Sequence, residues 1–215
     1  MTDTQFGWYI FVHSIAAAGT VGTVLVALFG TWIKAKCWPP KLDVTLPDPS
    51  GERTSIKRKD PDGTVREDIT RWYHVRVENQ RRLSPATNLS LHLVAIEEPG
   101  LDNTLEKTWQ GNVEIPWRHR SYYPDAQRIV GKSIDYDLCT LGRAGVMIYP
   151  IAAPSSFKRL WGEKCRLFAR LEIHSSEIDV PIRVQISWDG IWDSTWDEKK
   201  VREHFLVRRE FTDVA

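Results

Sequence analysis

The sequence predicts a mainly β protein: a two-sheet β-sandwich, with one transmembrane helix before it and a short helix near the end of the chain. Three observations predict this. Residues 4–33 contain no Asp, Glu, Lys or Arg, as expected of a membrane-spanning segment. Beyond Pro40, apolar and polar residues alternate with the period of two that half-buried strands show. Gly-, Pro- and Asp-rich breaks separate these segments, and their number and spacing favour a sandwich over an α/β arrangement.

The apolar stretch at residues 8–33 is long enough to cross a bilayer as one helix. A cleaved secretory signal has a basic start, a shorter apolar core and a cleavage site between small residues. Here Asp3 is the only charged side chain before the stretch, and Trp32, Lys34 and Lys36 close it with residues typical of a membrane interface. The predicted organisation is an N-terminal tail at residues 1–7, a transmembrane helix at 8–36, a short connector at 37–41 and a β-sandwich domain at 42–215.

Positive charge decides the predicted orientation, because Lys and Arg near the ends of a span stay on the cytoplasmic side. Lys34, Lys36 and Lys41 all follow the span, and no basic side chain precedes it. We therefore expect a single-pass protein of a prokaryotic inner membrane, with a cytoplasmic β domain and these lysines near anionic headgroups. The three cysteines have unrelated spacings that do not indicate a disulfide framework. Cys37, beside the membrane, is either acylated or a free thiol.

Small residues recur every four positions along the predicted span. This spacing lets two helix backbones approach closely, which favours self-association or packing against a partner helix in the bilayer. His13 lies on the same side, where it either reaches the headgroups or has a proton-linked or ligand role. The two rows are Ser14, Ala18 and Gly22, and Gly19, Thr23 and Ala27.

The clearest alternation predicts half-buried strands at residues 72–78, 89–93 and 182–188. The polypeptide beyond the connector suits one sizeable β domain or, as the alternative, two small ones. Pro39 and Pro40 end the preceding helix, since proline lacks the backbone donor that a helix needs. Further strands are predicted at residues 42–46, 112–117, 129–138, 146–151, 166–173 and 205–211.

Two local signals add detail to this map. Pro61-Asp62-Gly63 is typical of a tight turn, so residues 54–71 are predicted to contain a charged, exposed hairpin or loop. The sequence from Thr195 to Glu198 has the spacing of a capping box. A two-turn helix over Glu198–His204 should follow it, before the final strand.

Residues 73–96 resemble the hairpin of bacterial immunoglobulin-like modules of the CARDB and related adhesion-type families. A strand ends in Val-x-Asn, a polar turn follows, and Pro-Ala-x-Asn precedes an alternating leucine strand; Val77, Asn79, Ala86 and Leu89 stand at the matching places. The resemblance implies an immunoglobulin-like fold and a binding role, and it carries over no functional residue. The membrane-tethered arrangement is also similar to that of a diffuse set of single-pass prokaryotic proteins. Such modules are usually extracellular, whereas the flanking charges here predict a cytoplasmic domain.

The sequence lacks the usual motifs of catalysis, including a Gly-rich phosphate loop, G-x-S-x-G, H-E-x-x-H and C-x-x-C. We therefore predict a non-catalytic protein without a cofactor or metal. A net charge of +1 argues against a nucleic-acid binder. A metal site assembled by the fold is the alternative for the histidines, although His74 and His92 alternate with apolar positions and should face solvent. The histidines beyond the span are His74, His92, His119, His174 and His204.

Three Trp-Asp pairs at a spacing of four, beginning at Trp188, are the most unusual feature of the chain. In a structural interpretation Trp188 lies in the core, Trp192 covers one end of the sandwich, and the aspartates serve turns and caps. In a functional interpretation Trp192, Asp193 and Trp196 form a recognition rim for a partner, because Trp is a preferred interface residue. A calcium site is disfavoured, because the loop pattern of acidic and carbonyl ligands is missing.

Basic clusters occur at residues 57–59, 81–82, 118–120 and 208–209. They either converge on a phosphate-bearing ligand or lie apart on solvated faces, which the balanced charge favours. The leading functional prediction is a membrane-anchored scaffold subunit that binds the bilayer, a protein partner and other copies of itself. The alternative is a membrane effector or sensor whose β domain binds a small anionic ligand and whose helices oligomerise to perturb the bilayer.

Overall fold

A computed structural model describes residues 19–24, 26–27, 29–30, 36–59, 63–81, 84–118 and 133–210. The chain divides into two compact units, residues 1–40 and 41–215. In the first unit, the described residues 19–24, 26–27, 29–30 and 36–37 are helical. Within the described residues, no helix has both the length and the apolar character needed to cross a membrane. Residues 8–18, 25, 28 and 31–35 of the predicted span lie outside them.

Part of the predicted packing rows lies in this helical unit. Thr23 Oγ1 donates a hydrogen bond to the Gly19 carbonyl at 2.8 Å. A Cβ built on Gly19 or Gly22 would meet no atom within 4 Å, and Ala27 is exposed. Helix association through these residues stays a prediction, and the remaining members, Ser14 and Ala18, lie outside the described residues, as does Lys34.

The described residues of the second unit form antiparallel strands and a short helix, Glu198–His204. The strands are β1 Leu42–Thr45, β2 Glu52–Lys59, β3 Val65–Asn79, β4 Ser90–Pro99, β5 Leu105–Ile115, β6 Ser133–Gly142, β7 Gly145–Ile148, β8 Leu160–Trp161, β9 Cys165–His174, β10 Val180–Trp188 and β11 Phe205–Glu210.

These strands form two sheets, which confirms the predicted mainly β sandwich. The first sheet has the order β1-β3-β6-β7-β8, with β2 also paired to β3. The second sheet has the order β11-β10-β9-β4-β5. Inward-facing side chains alternate along the strands as a two-layer core requires. The largest fully buried side chains include Tyr73, Tyr136, Phe205, Leu91, Leu93, Leu138 and Leu167.

The connection between β3 and β4 corrects one expectation, because residues 73–96 do not form a hairpin. β3 belongs to the first sheet and β4 to the second. Asn79 shapes the turn between them: its side-chain amide donates to the Ser84 carbonyl at 2.7 Å and its Oδ1 accepts from the Arg81 amide at 3.0 Å. Val77 and Leu89 are fully buried. The two strands therefore face each other across the core, where their apolar sides meet.

The other predicted elements agree with the structure in position, with several changes in their bounds. The predicted charged hairpin is confirmed as β2 paired with the first half of β3. β5 begins at Leu105, before the predicted residue 112, in a stretch that is mostly exposed and does not alternate. β6 begins at Ser133, and residues 129–132 of the predicted strand lie outside the described residues. The two-residue strand β8 was not predicted.

The short helix has its predicted bounds, but a different residue caps it. Asp197 is the N-cap, and its carboxylate accepts from the Lys200 amide at 2.8 Å. Thr195 donates instead to the carboxylate of Asp193. The capping-box interpretation of Thr195 is therefore wrong, since Asp is as good an N-cap as Thr and stands directly before the first helical residue.

Strand register defines the two ends of the sandwich. At one end, the Lys41 carbonyl accepts from the Gln80 amide at 2.9 Å, and Ser90 is opposite His174. At the other end, Trp188 is opposite both Cys165 and Phe205. We call this second end the far end, because it lies away from Lys41, where residues 1–40 join the domain.

Candidate functional site

The candidate site begins where β10 ends, at the far end of the sandwich. We call residues 189–197 the Trp–Asp segment; it joins β10 to the short helix. Trp188, directly before it, is only 4 % exposed, and its Nε1–H donates to the Ile191 carbonyl at 2.7 Å. Gly190 has a φ of +93°, which lets the chain turn away from the strand. Trp188 is therefore a core residue, as its place in the strand alternation predicts.

The aspartates of the segment close turns. Asp189 accepts from the Ile191 amide at 3.0 Å and from His204 Nδ1 at 2.6 Å. Burial raises the pKa of the Asp189 carboxyl, but these hydrogen bonds outweigh it and hold the pKa below its ordinary value. Asp193 accepts from both the amide and the hydroxyl of Thr195 at 2.8 Å, and these bonds lower its pKa. The structural interpretation of the aspartates is confirmed.

The two tryptophans of the segment are half-buried and form an aromatic row with the short helix. The Trp192 and Trp196 rings meet edge to face, with centroids 6.2 Å apart. Trp196 stacks on His204, with centroids 4.3 Å apart and an angle of 19° between the rings. Each indole packs against the core on one side and reaches the surface on the other. A row of this kind offers apolar area that is already fixed in place.

Arg71 on β3 fastens the segment to the first sheet, and sequence reasoning missed it. Its side chain is buried, although Arg is rarely buried in proteins. Nη2 donates to the Trp196 carbonyl at 2.9 Å, while Nη1 donates to the carbonyls of Ser50 and Gly51 at 3.2 and 3.3 Å. Arg71 lies two positions before Tyr73 and four before Val75, on the same inward-facing side of the strand. This spacing could have predicted from the sequence that Arg71 is buried.

A second set of contacts holds the short helix against the β1–β2 connection. Arg202 Nε donates to Ser50 Oγ at 2.8 Å. The Tyr73 hydroxyl donates to the Ser50 carbonyl at 3.1 Å, and its ring packs against Phe205 with centroids 4.6 Å apart. Burial raises the pKa of Tyr73 far above its ordinary value, so the phenol stays protonated as a donor. The aromatic row is thus supported from both sheets.

A cavity of about 680 Å³ adjoins the segment at the far end. The segment and the cavity wall lie close together, since a Cβ built on Gly190 would lie 3.2 Å from the Lys164 backbone nitrogen. Burial, with the Glu98 carboxylate nearby, raises the pKa of Cys165 in its wall to about 11. That thiol is protonated at neutral pH and is no nucleophile. The lining residues are Glu98, Pro99, Lys158, Trp161, Gly162, Glu163, Lys164, Cys165 and Arg166.

The expectation that His74 faces solvent is wrong, because only 7 % of the residue is exposed. His74 keeps the outward position that the alternation predicts, but the carboxylates of Glu52 and Asp137, from two neighbouring strands, cover it. Nδ1 lies 2.9 Å from Asp137 Oδ1, and Nε2 lies 3.4 Å from the Glu52 carboxylate. His74 therefore belongs to an ionic cluster on the outer face of the first sheet.

Arg76 and Asp135 extend that cluster. Arg76 Nε and Nη2 donate to the two Asp135 oxygens at 2.7 and 3.0 Å, and this bidentate bond lowers the pKa of Asp135. On the second sheet, His92 and His174 meet edge to face at 4.8 Å. The part of the chain that the structure describes holds no group of three or more potential metal ligands.

Three arginines of the basic clusters pair with nearby acceptors. Arg118 donates to Glu52, Arg208 to Gln185 and Glu210, and Arg209 to Asp43. The Arg209 hydrogen bond is the main cause of the lowered pKa of Asp43. These arginines tie strands together. Residues 82, 119 and 120 lie outside the described residues.

Comparison of the chain with models of known protein families and with curated proteins finds no match to either.

Proposed function

We propose that this chain is a non-catalytic, membrane-anchored interaction subunit of a larger membrane complex, and that the Trp–Asp segment binds its protein partner. The observation that carries the proposal is the half-exposed aromatic row of Trp192, Trp196 and His204. Large aromatic side chains supply much of the binding energy in protein interfaces. Here Arg71 and Asp189 hold the row in place before any partner arrives. A pre-ordered surface loses less conformational entropy on binding.

The anchor part of the proposal rests on the sequence of residues 8–33, which has the length and composition of a bilayer span. Lys34, Lys36 and Lys41 then favour a cytoplasmic β domain and contact with anionic headgroups. Small residues along the same helix favour self-association in the bilayer. In this arrangement the domain is tethered by its Lys41 end.

We further propose that the sandwich is immunoglobulin-like and related to the CARDB-like modules. Strands β1, β3 and β6 in one sheet and β5, β4, β9 and β10 in the other correspond in order to strands A, B, E and C′, C, F, G of such domains. A bridge between Trp117 and Tyr136 occupies the place of strand D beside E. The crossing of the β3–β4 connection between the sheets supports the same assignment.

Co-purification tests the interaction role. Full-length protein carrying an affinity tag is cross-linked in cells, extracted in mild detergent and analysed by mass spectrometry. Trp192→Ala should reduce recovery of a specific co-purifying protein at least fivefold, whereas Val65→Ala, an exposed apolar control on the β2–β3 hairpin, should not. Equal recovery of every partner with both variants would refute the proposed surface.

A second candidate is a membrane sensor or effector whose β domain binds a small anionic ligand. One observation favours it: three basic side chains, Lys158, Lys164 and Arg166, line the cavity beside the Trp–Asp segment. A ligand-dependent change in cross-linking of the membrane helices would support this candidate. Identical cross-linking with and without a bound ligand would refute it.

A further inference from the structure

The cations of the far-end cavity differ from the arginines that tie the strands together. Within the described residues, Lys158, Lys164 and Arg166 make no side-chain hydrogen bond or ion pair. Arg76 and Arg183, by contrast, each donate to a carboxylate. Basic side chains that line a concave site without a carboxylate partner keep their attraction for an anion.

The side chains that line the cavity carry a net positive charge. Its two carboxylates are Glu98 and Glu163, against three cations. Glu98 Oε1 already accepts from Trp161 Nε1 at 3.2 Å and from the Thr108 hydroxyl at 3.3 Å, so one of its oxygens is committed to the wall. The Cys165 thiol adds no charge, since its pKa is raised to about 11.

Two of the cations are positioned by aromatic rings. Lys158 Nζ lies 5.4 Å from the centre of the buried Trp161 ring, and the Arg166 guanidinium lies 5.2 Å from the Phe168 ring. Cation–π contacts of this length restrict the side chains without neutralising them. The Lys164 backbone lies beside Gly190. Two of the three charges are therefore restricted by ring contacts at the rim of one space.

We infer that this cavity binds a phosphate-bearing anion, an assignment that rests on the second candidate function. The guanidinium of Arg166 offers a planar fork that matches two phosphate oxygens, and Lys158 and Lys164 supply point charges. A volume of about 680 Å³ falls in the range of small-molecule sites and exceeds the needs of a single inorganic phosphate. The anion therefore carries at least two phosphates, or one phosphate on an organic group. A free metabolite and a lipid headgroup share this chemistry.

Isothermal titration calorimetry on the full-length chain in non-ionic detergent tests the site with two probes, inorganic pyrophosphate and water-soluble dibutyryl phosphatidic acid. At least one should bind, and more weakly at higher salt, because the attraction is electrostatic. Lys164→Gln and Arg166→Gln should each weaken binding about tenfold or more, as the loss of one charge-assisted hydrogen bond implies. Lys57→Gln, an exposed cation on the β2–β3 hairpin, is the matched control and should bind as the parent does.

Preference for pyrophosphate would assign a free ligand, and preference for phosphatidic acid would assign a headgroup; both support the phosphate site. No binding of either probe at millimolar concentration would overturn it, as would equal weakening by Lys57→Gln. Circular dichroism melting of each variant shows that the fold is kept, and Lys158→Gln replaces any variant that unfolds. Binding without a change in helix cross-linking would leave the site standing and refute only the sensor function.

Discussion

Replacing Arg71 by Met should loosen the attachment of the Trp–Asp segment to the first sheet. The guanidinium is buried and donates to three backbone carbonyls, one of them that of Trp196. A hydrogen bond to a charged group contributes about 1.5–3 kcal/mol. The three contacts do not add fully, because two of them share one nitrogen and the variant also avoids burying a charge. We expect a net loss of about 2–4 kcal/mol in unfolding free energy.

The assay is thermal unfolding of the full-length protein in detergent, followed by circular dichroism. For a domain of this size, about 3 °C is lost per kcal/mol, so the melting temperature should fall by about 6–12 °C. Hydrogen exchange should increase most in residues 189–197. Arg53→Met is the matched control, because Arg53 reaches the same segment from the same hairpin. Its side chain is exposed, and its hydrogen bond to the Ser194 carbonyl is long, at 3.5 Å. Equal melting temperatures for the two variants would refute the assigned role of Arg71.

Three further predictions concern the domain. Trp188→Ala should lower the unfolding free energy by about 3–5 kcal/mol in urea titrations, and Trp192→Ala by less than half as much, because Trp192 is only half-buried; equal losses would make both residues structural. Iodoacetamide at pH 8 should alkylate exposed Cys37 before Cys139, whose pKa burial raises, and rapid labelling of folded Cys139 by mass spectrometry would contradict this. The pKa of Asp135 is lowered from 3.8 by its bidentate arginine partner, so its stabilisation is present above the unfolded pKa and lost as pH falls through the folded pKa. Unfolding free energy should therefore drop below about pH 4, and Asp135→Asn should flatten part of that drop.

The strands were predictable where one face of a strand is buried and the other is wet. β10 shows this best: Ile182, Val184 and Ile186 are buried, and their period of two is visible in the sequence. The short helix was predicted from the capping-box spacing of Thr195 and Glu198, and its bounds are right although Asp197 is the residue that caps it. The first half of β5 was not predictable, since it is exposed on both faces and its hydrophobicity carries no period.

The candidate site could be predicted only in part, because its main contacts join residues that are far apart in the sequence. Arg71 and Trp196 are 125 positions apart, so no local pattern links them. His74 was expected to face solvent because its parity places it on the outer side of β3; it does lie there, but Glu52 and Asp137 from other strands cover it. The hairpin that the family resemblance implied over residues 73–96 is wrong because β3 and β4 join different sheets. Periodicity shows which side of a strand is buried, but not which sheet the strand joins.

The three Trp-Asp pairs are regularly spaced, but each tryptophan has a different structural role. These roles bear on the proposed interface. Trp188 fills the core, and stacking of Trp196 on His204 fixes the approach to the short helix. The turn after Trp192 is closed by Asp193 through Thr195, and a small residue before the aspartate would leave that turn intact. The fold therefore needs the indole of Trp192 least, although it is a large apolar group held half-exposed beside a fixed neighbour. A binding role best explains a large apolar side chain that the fold does not need. Trp192→Ala therefore separates recognition from stability more cleanly than any other change in the segment.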